Sequence, residues 1–311
     1  MAERLSSLRS QFALSALALS VLVSGSAEGA PPNDVIDVKM ARQVFPGLDD
    51  CVDVPCLLTR AYRADPKAAQ LALDLWTESG DVAGVGSEQV MDGGFRGTIH
   101  LVPELPINRY RQQLAWVVEA SRTTNHFFEA LFANQPAPPY RFRGVTFRFV
   151  RSLKQHRPSA YVTGWAVEYN VEGSLLISAS GVRDTLFHEL FHSNDEAHGD
   201  WSGSHLRDDY QAILEKCKKR GLSVPCLGPY APTGTLVRGG TFYAFQQNNG
   251  DTVHEYGAEL AVRYFTEQSQ MLAAGKLGRP AFKCGPPENA RSWRSLVAEF
   301  FGGRDLVPAC R

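Results

Sequence analysis

The chain has 311 residues, of which 44% are hydrophobic and 21% are charged, so it can build a folded core and is not wholly disordered. Its 32 basic and 33 acidic residues leave a formal net charge of -1, which gives no indication of nucleic-acid binding or of attraction to an anionic membrane. Collagen-like and coiled-coil architectures are also excluded, because Gly and Pro follow no period and no heptad repeat is sustained.

The first thirty residues have the pattern of a secretory signal. Arg4 and Arg9 precede an uncharged, apolar stretch over residues 12–25, and small residues follow around Ala27. This order of a basic start, an apolar run and a small-residue cleavage site predicts a signal peptide over residues 1–27. The apolar run is too short to cross a bilayer comfortably. We therefore expect a secreted protein, extracellular or periplasmic, with no membrane association after cleavage.

All six cysteines follow the predicted cleavage site. An even number in an oxidising compartment predicts three disulfides. A cysteine zinc site is not favoured, because the closely spaced C-x-x-C pairs that it needs do not occur. The sequence alone does not fix the pairing, but we expect local partners: Cys51 with Cys56, Cys217 with Cys226, and Cys284 with Cys310.

The N-terminal half reads as helices and loops. Apolar spacing predicts a helix over residues 67–79, then Gly-rich loops or short strands over 80–97. A long helix is predicted over 106–133, ended by the Pro-rich run 135–139.

The C-terminal half begins with strands and continues with helices. Strands are expected over 141–150, 160–169 and 174–178, and helices over about 181–193, 251–270 and 287–302. This order predicts an α+β fold with a small mixed sheet and a C-terminal helical part. No clean domain boundary is visible. The coarse division is an N-terminal helical and loop-rich part, 28–135, and a catalytic part, 136–311.

The sequence H-E-x-x-H is the motif that indicates chemistry. His188 and His192 are four residues apart, so in a helix they lie on one face and can bind one metal ion. Glu189 lies beside the first His, where it can act on a zinc-bound water without binding the metal. Imidazole ligands suit Zn²⁺, which tolerates an open coordination position.

This motif resembles the active-site helix of the zincin metallopeptidases, and the order of elements over roughly residues 140–270 is similar. The resemblance implies a twisted sheet with an edge strand beside the cleft, followed by the helix that carries the motif. It also implies that His188 and His192 bind zinc and that Glu189 is the general base.

Two residues compete as the third zinc ligand. Glu255 and Glu259 are four apart on a predicted helix for which Asp251 is a fair N-cap, so Glu255 could bind zinc while Glu259 orients a ligating His. Gly257 would let this helix approach closely. The arrangement resembles the gluzincin branch, and the E-Y-x-A-E form resembles the lethal-factor-like proteases. The long separation from His192 implies a loop insertion.

The second candidate is His198. It falls at the third-ligand position of the metzincin pattern H-E-x-x-H-x-x-G-x-x-H, with Asp195 where that pattern has Gly. Asp tolerates the left-handed backbone that this Gly adopts. Met271 is the only downstream Met and lies in a predicted helix end, so the Met-turn of that branch is missing. Glu255 is therefore favoured, with His198 left open.

These residues predict a secreted zinc peptidase that acts on a peptide or protein substrate as a monomer. Glu189 would take a proton from the zinc-activated water. Tyr243 or Tyr256 is a candidate for stabilising the oxyanion, although a packed aromatic is the favoured interpretation of each. Two alternatives stay open. One is a zinc amidase acting on a non-protein or cell-wall substrate, and the other is a catalytically silent exported binding module.

Overall fold

The computed structural model describes residues 35–92, 98–153, 160–237, 240–246 and 252–310. The predicted signal peptide and the predicted cap Asp251 lie outside these residues. The described part contains ten α-helices and one mixed sheet, so the predicted α+β class is confirmed. None of its helices is long and apolar enough to cross a membrane.

The ten described helices range in length from 4 to 23 residues. In chain order they are α1 (Val38–Ala41), α2 (Val54–Ala61), α3 (Pro66–Ser79), α4 (Arg111–Leu131), α5 (Ala179–Ala197), α6 (Trp201–His205), α7 (Arg207–Lys218), α8 (Val224–Leu227), α9 (Thr252–Ala274) and α10 (Pro287–Phe300).

The sheet is built from six described strands. They are β1 (Val82–Val85), β2 (Gln89–Asp92), β3 (Thr98–Pro103), β4 (Thr146–Ser152), β5 (Ala160–Thr163) and β6 (Ala166–Asn170). The order is β2-β3-β4-β6-β5, and β1 also pairs with the first half of β4. β1 and β6 run parallel to β4, whereas β3 is antiparallel to β4 and β5 is antiparallel to β6. Strands from both halves of the sequence therefore share one sheet.

Aromatic rings join the three helices at the centre of the core. Phe127 on α4, Phe187 on α5 and Phe265 on α9 meet in one group. The ring centre of Phe265 lies 4.7 Å from that of Phe127 and 4.6 Å from that of Phe187. Such contacts add to the free energy gained by burying the rings. They fix α5 against α9, which is the pair of helices that carries the predicted ligands.

The predicted strand over 174–178 is wrong. These residues form turns, and Leu175 and Ile177 are exposed while Leu176 is buried. The last residue, Ser178, is instead the N-cap of α5, where its hydroxyl accepts a hydrogen bond from the amide of Gly181 at 3.1 Å. A serine in this position satisfies an amide that the first turn of a helix leaves unpaired. The short apolar run therefore leads into the helix and pairs with no described strand.

Other boundaries differ from the sequence prediction in smaller ways. The long helix begins at Arg111, preceded by a single turn of 3-10 helix, and the strand expected from residue 141 begins at Thr146. The strand expected over 160–169 is the hairpin of β5 and β6, which turns at Gly164 with a positive φ of 55°. Five of the described helices were not predicted: α1, α2, α6, α7 and α8.

The three disulfides pair as predicted. The bonds are Cys51–Cys56, Cys217–Cys226 and Cys284–Cys310, so no cysteine is free. A full set of disulfides is consistent with folding outside the cytoplasm.

Candidate metal centre

Helices α5 and α9 bring three potential metal ligands together. His188 and His192 lie one turn apart on α5, and their Nε2 atoms are 3.1 Å apart. Glu255, in the first turn of α9, places Oε2 3.0 Å from His188 Nε2 and 3.6 Å from His192 Nε2. These three residues can hold a metal ion.

A glycine allows α9 to come this close. A Cβ on Gly257 would clash with the hydroxyl of Ser202 on α6 and lie 2.9 Å from the ring of Phe191 on α5. A side chain at this position would force these neighbouring side chains, or α9 itself, to shift. Because Gly257 is two residues after Glu255, a shift of α9 would move the carboxylate away from the two histidines.

The three side chains are mostly shielded from water, with 12% of His188, 20% of His192 and 17% of Glu255 exposed. Burial alone would lower the pKa of His188, but the carboxylates of Glu255, Glu259 and Glu189 outweigh it and raise that pKa to about 10. Burial alone would raise the pKa of Glu255, but both histidines outweigh it and hold that pKa below its ordinary value. The cluster therefore attracts positive charge.

The spacing of the donor atoms suits a tetrahedral ion. Ligands about 2.0–2.2 Å from Zn²⁺ at tetrahedral angles lie about 3.4 Å from one another. The three separations between His188 Nε2, His192 Nε2 and Glu255 Oε2 are 3.0, 3.1 and 3.6 Å. Two imidazole nitrogens and a carboxylate also form a donor set that zinc accepts. The residues present therefore fit this metal.

A second carboxylate supports the first histidine. Glu259 is one turn after Glu255, and its Oε1 lies 3.4 Å from Nδ1 of His188. The Thr233 hydroxyl donates a hydrogen bond to the other oxygen of Glu259. A carboxylate on the second ring nitrogen fixes the tautomer and orientation of a ligating His. The predicted orienting role of Glu259 thus has the contact it requires, whereas Thr233 gave no signal in the sequence.

Glu189 lies on α5 directly after His188, and it is buried. Burial raises the pKa of Glu189 above its ordinary value, while the charges of His188 and His192 act in the opposite direction. A carboxyl group whose pKa is raised in the direction of neutral pH is better suited to accept a proton and to return it.

The two tyrosines considered for the oxyanion lie in different surroundings. The ring of Tyr243, in a turn of 3-10 helix before α9, has its centre 5.8 Å from that of His188. Tyr256 is fully buried, with its ring centre 5.8 Å from that of Tyr210 and 5.7 Å from that of Phe245. Tyr243 is therefore the tyrosine that borders the candidate metal centre.

His198 lies apart from this group. It caps the C-terminal end of α5, where its Nδ1 is 2.6 Å from Oε1 of Glu299 and its ring packs on Phe300. The structure therefore brings Glu255, and not His198, to the two histidines.

The chain matches no protein-family model, and comparison with curated proteins and with solved structures found no significant match.

Proposed function

We propose that the chain is a secreted, zinc-dependent peptidase of the zincin type, with the third ligand of the gluzincin branch. The observation that carries this proposal is the convergence of His188, His192 and Glu255 on one point, next to a buried glutamate on the same helix. The three disulfides fit the secreted location that the signal sequence predicts.

The residues of the chain have separate roles in this proposal. His188, His192 and Glu255 would hold the zinc ion, which would supply Lewis acidity for the scissile carbonyl and for a water. Glu189 accepts a proton from the attacking water and delivers it to the leaving amine. Glu259 holds the ring of His188 in place, and Tyr243, whose ring borders that of His188, donates a hydrogen bond to the developing oxyanion in this proposal.

The sheet offers a place for an extended substrate. β5 is the edge strand at one end of the described sheet, and it contacts α5, the helix that carries the two histidines. The hydroxyl of Ser193, next to His192, donates a 2.6 Å hydrogen bond to the carbonyl of Gly164 in the β5–β6 turn. An edge strand presents backbone groups that an extended peptide can pair with. We therefore favour a peptide over a small-molecule substrate.

The decisive experiment is the substitution Glu189→Gln in zinc-loaded protein. Hydrolysis of a broad peptide library should fall by about 10²–10⁴-fold, because the general base is lost, while the zinc content stays unchanged. The matched control is Glu196→Gln, which changes an exposed glutamate on the same helix and should leave the rate unchanged. Full activity of Glu189→Gln would refute the general-base role.

Chelation separates the remaining functions. A peptidase should cleave the library with zinc and lose this activity when a chelator is added. Metal-dependent cleavage of cell-wall amides alone would identify an amidase. Zinc binding without hydrolysis of either substrate would identify a silent binding module, and both of these results contradict the proposed peptidase.

Mass spectrometry of the secreted chain tests the predicted processing. We expect cleavage after Ala27 and retention of residues 28–135. The reason for retention is that this segment supplies β1, β2 and β3, and both β1 and β3 pair with β4, so removing it would take three of the six described strands from the sheet. A mature chain that starts near residue 135 would show that the segment is a pro-segment.

A further inference from the structure

A second group of potential ligands lies beside the candidate metal centre. Asp195, Asp200 and His254 each offer one donor atom, and these atoms all lie within 4.8 Å of one another. Asp195 follows His192 on α5, and His254 directly precedes Glu255 on α9. The proposed zinc site uses none of these three residues.

One carboxylate oxygen of Asp195 is buried without a hydrogen bond of its own within the described part of the chain. Its side chain is only 2% exposed, and Oδ1 accepts a 2.7 Å hydrogen bond from the amide of Ser202. Oδ2 accepts no hydrogen bond from any residue that the structure describes, and it lies 3.7 Å from Nε2 of His254. A buried carboxylate oxygen without a hydrogen bond is costly unless a cation lies against it.

Asp200 faces the same point from the turn between α5 and α6. Its backbone is left-handed, with φ at 61°, and its side chain caps α6 by accepting a hydrogen bond from the amide of Gly203. Oδ1 of Asp200 also contacts Nε2 of His254. A cavity of about 420 Å³ opens here, with Asp195, Asp200 and His254 among its lining residues.

We propose that Asp195, Asp200 and His254 form a second site for a divalent transition-metal ion, of the zinc or manganese class. Two carboxylates with one imidazole suit these cations, and an ion would bind Oδ2 of Asp195, which makes no hydrogen bond to a described residue and faces Nε2 of His254. An ion here would tie the first turn of α9 to the end of α5 and the turn after it. This inference does not rest on the proposed function.

The test is metal stoichiometry after equilibrium dialysis of the full mature chain against buffered Zn²⁺, and separately against Mn²⁺. Wild-type protein should hold two zinc ions per chain. Asp195→Asn, Asp200→Asn and His254→Gln should each hold one. Both Asn substitutions keep an oxygen that accepts the amide hydrogen bond, and circular dichroism checks that each variant is folded.

Two controls make the result specific. Glu196→Gln changes an exposed carboxylate that lines the same cavity outside the cluster, and it should keep both ions. His188→Gln should lose only the ion of the first site. Suppose that the wild-type chain holds one ion and that Asp200→Asn and His254→Gln still hold it. This result overturns the inference and leaves the proposed function standing.

Suppose instead that the wild-type chain holds one ion, that Asp200→Asn loses it and that His188→Gln keeps it. This result supports the inference and contradicts the proposed zinc site.

Discussion

Oε2 of Glu255 lies 3.0 Å from Nε2 of His188, although 67 positions separate the two residues in the chain. This contact depends on the packing of α5 against α9, to which Phe187 and Phe265 contribute. The candidate metal centre is therefore assembled only in the folded chain, and an ion bound there would stabilise the folded state by binding the native chain and not the unfolded one.

The third ligand is tested by comparing Glu255→Gln with His198→Gln. Glu255→Gln should lose the zinc of the first site, because it removes a charged donor that lies close to Nε2 of both histidines. His198→Gln should keep that zinc, because His198 is paired with Glu299 at the far end of α5. Zinc content after dialysis is the measurement, with Glu196→Gln as the control.

The result can contradict the assignment in two ways. Loss of zinc in His198→Gln, with retention in Glu255→Gln, would mean that the metzincin ligand pattern applies. Retention in both variants would mean that neither residue is the third ligand.

Glu259→Gln tests the support of His188. We expect the affinity for zinc to fall by about 10–100-fold, because the carboxylate beside Nδ1 of the ligating ring is removed. Thr233→Val should weaken binding less, since Thr233 acts only through Glu259. A competition titration with a coloured chelator measures both affinities. Equal zinc affinity in wild type and Glu259→Gln would show that the 3.4 Å contact does not orient the ring.

The sequence predicted the parts of the candidate site that depend on local periodicity. His188 and His192 are one helical turn apart, so their common face follows from the motif alone, and the small residue Gly257 indicated a close helix contact. The spacing of Glu255 and Glu259 likewise required only a helix. These features needed no knowledge of the tertiary fold.

The remaining features depend on contacts between distant segments. Thr233 comes from a stretch with little periodicity, so nothing local indicated that it lies beside Glu259. Tyr243 comes from the same stretch, and the sequence offered it only as one of two tyrosines that could reach the site. The apolar run over 174–178 looked like a strand because β propensity does not reveal whether a pairing partner exists. The hairpin at Gly164 was merged into one strand because β-branched and aromatic residues, which favour strands, continue on both sides of the turn.

The buried carboxyl of Asp81 predicts a pH dependence of stability away from the metal centre. It accepts hydrogen bonds from the amide of Val145 at 2.7 Å and from the hydroxyl of Ser121 at 3.0 Å. Burial outweighs these bonds and raises the pKa of Asp81 to about 6. The pKa of Asp81 in the folded state exceeds the unfolded value of about 3.9. The contribution of Asp81 to the free energy of unfolding is therefore fully present below pH 3.9 and is lost as the pH rises through 6.

Asp81→Asn should remove this dependence, because Asn does not titrate and can bond to both Val145 and Ser121. Urea unfolding at pH 4 and pH 7 measures it. The free energy of unfolding of wild type, relative to the variant, should be greater at pH 4 than at pH 7 by about 1–3 kcal/mol. An equal difference at both pH values would show that Asp81 titrates normally in the folded protein.

The disulfide between Cys284 and Cys310 offers a clean test of chain entropy, since both residues are exposed and their replacement removes little packing. Lys283 and Trp293 both contact Asp305, at 2.7 and 2.8 Å, so the C-terminal segment keeps its place in the folded state without the bond. The double substitution Cys284→Ala and Cys310→Ala should therefore act mainly on the unfolded chain.

The disulfide joins residues 26 apart, and the entropy of closing a loop of that length predicts that the double variant loses about 3.5 kcal/mol of unfolding free energy. The free energy of unfolding should also fall more steeply with urea concentration, because the unfolded chain without the disulfide exposes more surface. Urea titration followed by circular dichroism measures both quantities, and the native spectrum should be unchanged. A loss below about 1 kcal/mol, with no change in slope, would mean that the unfolded chain is already compact around the C-terminal segment.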